Sequence, residues 1–88
     1  MICEKFRIIN DSGLHMRPAN EFASAMGAFS SEVTVVYGSN EINGKSLMNL
    51  IAAGIRAGSE IEVRCEGEDE TEAMEKARNL ILAGFGEI

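Results

Sequence analysis

Alternation of apolar and polar residues marks out the strands of this chain. In Ile2–Ile9 (ICEKFRII), Ile2, Phe6 and Ile8 face one way and Lys5 and Arg7 the other. Glu32–Tyr37 (EVTVVY) is a β-branched run of strand type. GSN then reads as a turn and EIN, residues 41–43, as a short return strand, which closes a hairpin. Glu60–Glu66 (EIEVRCE) alternates strictly. Ile61, Val63 and Cys65 point inward and the charges outward, as in a strand with one wet face.

Spacing of three and four predicts the helices. From Met16 to about Gly27, Ala19, Phe22, Ala23 and Met26 share one face. Pro18 fits only the first turn of that helix, where its missing N–H costs nothing, so the start falls near residue 16. Lys45–Ala53 reads as a short helix with Ser46 as N-cap and Gly54 near its end. Asp69 to about Ala83 is the clearest helix. Asp69 and Glu72 have capping-box spacing, and Ala73, Ala77, Leu80, Ile81 and Gly84 form the expected buried stripe. The carboxylates on its outer face read as solvated surface.

The order is β-α-β-β-α-β-α, and the outer strand faces are polar. Such a sheet takes helices on one face only. The expected fold is α+β: a two-layer open-faced β-sandwich, a four-stranded antiparallel sheet covered on one face by three helices. Short turns, with no repeat or linker, predict a single domain over 1–88.

Composition narrows the function. The chain is 45% hydrophobic with no Trp and one Tyr, so the core is aliphatic with Phe and Met as bulky fillers. The net charge is −6 and the eight Lys and Arg form no run, which argues against nucleic-acid binding. The longest apolar run, Leu50–Ile55, falls far short of the roughly 20 residues of a membrane span. The start, MICEKFRII, lacks signal-peptide character, so the expectation is a cytoplasmic protein without membrane insertion. Cys3 and Cys65 have no metal-type spacing; they read as free thiols on strands, with a redox or ligand role as the alternative. No metal or cofactor is called for.

The candidate chemistry lies in SGLHMRPANEF, residues 12–22, which holds the only histidine and the only proline. A helix N-terminus exposes unpaired N–H groups and about half a positive charge, a ready anion site. Arg17 adds a fork of donors matched to phosphate. His15 sits just outside this cradle, and a neutral imidazole is a competent nucleophile. A phosphoryl group on His15 would lie beside the amides of Met16 and Arg17. The cation and the helix end both disfavour imidazolium, so the neutral ring is expected. The bland alternative is a capping or surface histidine. No second acid, base or metal cluster accompanies His15, and Asp11 reads as a turn residue, so an enzyme turning over alone is not expected.

GLHMRPA followed by GKSLMNLIAAGIRAGSEIEV resembles the histidine-containing phosphocarrier family, HPr, of the sugar phosphotransferase system. The likeness spans nearly the whole chain. It includes the histidine, the Arg-Pro-Ala after it, the Lys-Ser before the second helix and the Gly-x-x-x-Gly turn into the last strand, with matching spacings.

The resemblance implies that His15 accepts phosphoryl on Nδ1 from enzyme I, which phosphoenolpyruvate charges, and passes it to sugar-specific IIA proteins or domains. Arg17 would steady the phosphate. Ser46 would be the serine that the ATP-dependent HPr kinase/phosphorylase modifies, and the phosphoserine form would bind a catabolite-control repressor; otherwise Ser46 is only an N-cap. Leu47, Met48 and Ile51 cannot all point inward from one helix, so Leu47 and Met48 are expected at least partly exposed, beside His15, as a docking patch. Met16, Asn20, Glu21 and Asn49 depart from the family's usual residues and bear on partner choice. A monomer is expected for a carrier that docks several proteins in turn. Two other readings stay open. One is an HPr-like regulator acting mainly through phospho-Ser46 as a corepressor. The other is a small module that binds a metabolite at the Met16–Arg17 anion site.

Overall fold

The structure is a computed structural model and describes residues 1–87. Its elements are β1 (Ile2–Arg7), α1 (Met16–Gly27), β2 (Glu32–Tyr37), β3 (Asn40–Asn43), α2 (Leu47–Ala53), β4 (Glu60–Glu66) and α3 (Glu70–Leu82). The strands form one antiparallel sheet in the order β1-β4-β2-β3. Register follows the alternation. Phe6 stands opposite Ile61, and Val35 stands opposite both Val63 and Ile42. These side chains are all buried, while Lys5, Arg7, Glu60 and Glu41 on the other face are exposed.

The three helices cover the apolar face. Ala19, Phe22, Ala23 and Met26 of α1 and Ala73, Met74, Ala77 and Ile81 of α3 enter the core, with Leu50 from α2. The buried stripe of α3 is therefore turned from the expected one: Met74 is buried, Leu80 is half-buried, and Gly84, though buried, lies beyond the helix. Cys65 is buried and Cys3 exposed, both as free thiols.

Some boundaries move for visible reasons. β1 ends at Arg7 rather than Ile9. Ile8 stays buried and exchanges hydrogen bonds with the turn before β4: its N–H donates to Ser59 O at 2.9 Å, and the Gly58 N–H donates to Ile8 O at 2.7 Å. Ile9 then turns outward and is 43% exposed. α2 begins at Leu47, after Lys45, because Ser46 caps it.

The capping box on α3 does not form. Asp69 occupies the N-cap position but makes no cap hydrogen bond. Its carboxylate crosses to the loop before β2, where it accepts from Ser30 N at 2.8 Å, from Ser31 N at 2.9 Å and from the Ser31 hydroxyl. Ser31 is buried, so its polar groups need this partner. Glu70 instead accepts from Gly67 N at 3.1 Å.

The Ser31 hydroxyl, followed by the Ser30 amide, holds the Asp69 carboxyl down at about 2, against 3.8 for the free group. A carboxyl depressed in the folded state contributes stability that is full above the unfolded value and is lost as pH falls through the folded one. Stability is therefore expected to decline from about pH 4 toward about pH 2. Denaturant titrations across that range check this. In Asp69→Asn the slope over the same window should be visibly flatter; an unchanged slope would mean that another carboxyl governs acid unfolding.

Candidate functional site

The segment before α1 is pinned on both sides of His15. Leu14 is buried and its N–H donates to Ile55 O at 3.0 Å. Pro18 and Ala19 are buried at the first turn of α1. The residues between them, His15, Met16 and Arg17, are left exposed. Gly13 makes the approach. Its φ is +67°, and a Cβ there would lie 2.6 Å from Ile55 O and 2.9 Å from Ala57 N. The Asn10 side chain closes the turn by donating to Gly13 O at 2.7 Å.

His15 is the N-cap residue of α1, but its side chain does not cap. Its carbonyl accepts from Ala19 N at 3.0 Å. The amides of Met16 and Arg17 open the helix and have no acceptor within it, and Pro18 has no N–H to offer. Two backbone donors therefore face the surface beside the imidazole.

The sequence reading missed one residue, Glu87. Its Oε2 lies 2.8 Å from His15 Nε2 and 3.2 Å from Arg17, and its Oε1 accepts from Asn10 Nδ2 at 2.9 Å. The Glu87 side chain is only 14% exposed, against 43% for His15 and 55% for Arg17. Hydrogen bonds from Asn10, and then from His15 and Arg17, hold the Glu87 carboxyl below its usual range despite partial burial. It is thus an anion at neutral pH, and an anionic carboxylate can only accept. In the neutral ring the proton then sits on Nε2, which leaves the Nδ1 lone pair free.

Glu87 arrives by way of the chain after α3. Gly84, Phe85 and Gly86 have φ of +59°, +54° and +75°, three left-handed residues in succession. Glycine takes that conformation freely, whereas Phe85 is held there by burial at 3% exposure. The turn is closed by Glu87 N donating to Gly84 O at 2.9 Å. A glycine pair bracketing one apolar residue, followed by an acid, was the available signal.

The other expected residues divide. Ile51 borders a shallow depression beside His15 that Asp11, Ser12, Gly54 and Arg56 also line. Leu47 and Met48 do not line it. They sit toward the start of α2, where Leu47 is half-buried against the core and Met48 is 73% exposed. Ser46 caps α2 by accepting from Asn49 N at 3.2 Å. It stands at the opposite end of α2 from the depression, about 8 Å from Ile51 along the axis at ~1.5 Å per residue. Glu21 lies 3.4 Å from Arg17.

This fold, with an exposed histidine opening α1, is that of small phosphocarrier proteins. The HPr crystal structure from Thermoanaerobacter tengcongensis (HPr-C-His) matches with a TM-score of 0.96 and 35% identity, over 100% of this chain and 99% of the other. The sequence model described as "PTS HPr component phosphorylation site" matches residues 2–82, and the chain belongs to this HPr family of the phosphotransferase system. Phosphocarrier protein HPr of Neisseria meningitidis is 40% identical over 87 residues, 99% of this chain and 98% of that protein. The crystal structure of Crh, the Bacillus subtilis catabolite repression containing protein, is also similar. Its TM-score is 0.75 at 31% identity, over 96% of this chain and 97% of the other.

Proposed function

We propose that His15 carries the phosphoryl group, accepting it from enzyme I and passing it to sugar-specific IIA proteins or domains. The observation that carries this reading is the Glu87 carboxylate on Nε2, which leaves Nδ1 free beside the opening of α1. In the forward step the Nδ1 lone pair attacks phosphorus. The N–P bond forms as the donor's bond to phosphorus breaks and the donor keeps that electron pair. The proton stays on Nε2, where Glu87 balances the charge the ring acquires. Arg17 and the amides of Met16 and Arg17 face the transferring oxygens, so positioning and electrostatics carry the catalysis. The N–P bond is labile, and the same groups serve the reverse step. The protein does not turn over alone and works in the cytoplasm as one domain over 1–88; position 88 lies outside the described residues.

Leu47, Met48 and Ile51 form the partner-facing apolar patch in this reading. Ser46 is a regulatory site for an HPr kinase/phosphorylase. A phosphoserine there adds nearly two negative charges at the start of α2, where the fold tolerates them and docking of partners does not. The similarity to Crh favours a second reading, an HPr-like regulator that works mainly through phospho-Ser46 and a catabolite-control repressor.

Incubation with phosphoenolpyruvate, magnesium and enzyme I of the same organism separates the two. The carrier reading expects an acid-labile phosphate that His15→Ala loses completely. Absence of label on His15, with acid-stable label on Ser46 from ATP and the kinase, would favour the regulator.

A further inference from the structure

Arg17 stands between two carboxylates that are held differently. Glu87 Oε2 lies 3.2 Å from its guanidinium and Glu21 Oε1 lies 3.4 Å from it. Glu87 is fixed by other contacts: Asn10 donates to it at 2.9 Å, and His15 Nε2 lies 2.8 Å away. Glu21 is half-buried and, among the described residues, has Arg17 as its one side-chain partner. The Arg17–Glu21 pair is poorly placed for helix stability. Arg17 sits in the first turn of α1, where the dipole disfavours a cation, and an acid four residues after a base is the weaker order. The surroundings are already anionic. His15 shares its depression with Arg56 and Asp11, so Arg17 and Arg56 are outnumbered by the carboxylates of Glu21, Glu87 and Asp11.

We propose that Glu21 is a positioning residue that competes with the phosphoryl group for Arg17, and so raises the tendency of His15 to pass that group on. This rests on the carrier reading. When Nδ1 takes the phosphoryl group, a negatively charged group arrives beside Arg17. The guanidinium then exchanges the Glu21 carboxylate for phosphoryl oxygens, which match its fork of donors. Glu21 is left without its cation and next to new negative charge. When the group is passed on, the N–P bond breaks, its electron pair returns to Nδ1, and Arg17 closes on Glu21 again. The pair therefore stabilises the unphosphorylated carrier alone, which favours handing the group on. An exposed ion pair shifts an equilibrium by at most about fivefold, a bias that leaves both directions of transfer open.

The test is the equilibrium between phosphoenolpyruvate and phospho-His15 in the full chain. It is set by a small amount of enzyme I at fixed ratios of phosphoenolpyruvate to pyruvate, and approached from both directions. Glu21→Gln should move it toward phospho-His15 by about three- to fivefold, with thermal unfolding nearly unchanged. The same substitution made in Arg17→Ala should move it by less than about 1.5-fold, since no guanidinium is left to compete for. An equilibrium that Glu21→Gln leaves in place or moves the other way would overturn the inference while leaving His15 as carrier. So would an equal shift with and without Arg17, which would mean plain repulsion by the Glu21 charge. No phospho-His15 in the unaltered protein would overturn the carrier reading and this inference with it.

Discussion

Arg17→Ala is expected to slow phosphoryl transfer to His15 by about 100- to 1000-fold and to leave the fold intact. The magnitude is that of removing one preorganised donor from a site where charge develops. The guanidinium is 55% exposed and its side-chain partners are Glu21 and Glu87. Exposed pairs of this kind contribute only about 0–1 kcal/mol to stability, so the folding cost is small. In the proposed mechanism the fork of donors serves two tasks. In the resting protein it balances Glu87; once phosphorus approaches Nδ1, the donor now spent on Glu21 can turn to the phosphoryl oxygens. Arg17→Lys keeps the charge but loses the fork, and its rate should fall between the two. Single-turnover transfer measures the rates, and thermal unfolding checks the fold. A normal rate in Arg17→Ala would remove Arg17 from the mechanism.

Gly13→Ala should have the largest effect on stability, about 3 kcal/mol or more. A positive φ of 67° already costs an alanine, and its Cβ would press on Ile55 O at 2.6 Å, Ala57 N at 2.9 Å and Arg56 C at 3.0 Å. These are all backbone atoms, so no side chain can swing away. Relief requires the 10–14 turn to part from the segment between α2 and β4. That would break the Leu14–Ile55 hydrogen bond and shift the peptide that presents His15. Denaturant unfolding measures the loss of stability, and transfer to His15 should weaken with it. The stability of the fold and the placing of His15 thus meet at one glycine.

What could be read from the chain depended on how local its cause was. Strict alternation in Glu60–Glu66 and the proline at the first turn of α1 act within a few residues, and both elements lie where those patterns put them. Ser46 caps α2 for the same reason. Asp69 departs from its capping-box pattern because a carboxylate before a helix can cap its own turn or reach elsewhere. Its partner, Ser31, is 38 residues away, and only the packed sheet brings them together. The stripe of α3 turns from its sequence pattern because the helix lies against both β4 and β1 and contacts α1, which admits Met74 and lifts Leu80 outward. A lone histidine before an Arg-Pro helix start singles out His15 and Arg17, and family likeness strengthens that reading. Neither supplies Glu87, which is 72 residues from His15 and reaches it through a left-handed turn that no hydrophobic period encodes.

The most direct measurement is nitrogen-15 NMR of the histidine side chain after phosphorylation by enzyme I. The account predicts a single phosphohistidine at residue 15, with phosphorus coupled to Nδ1 and the proton retained on Nε2. Phosphorus on Nε2 would contradict it, since that nitrogen faces Glu87 at 2.8 Å. No phosphohistidine at all would contradict it at the root.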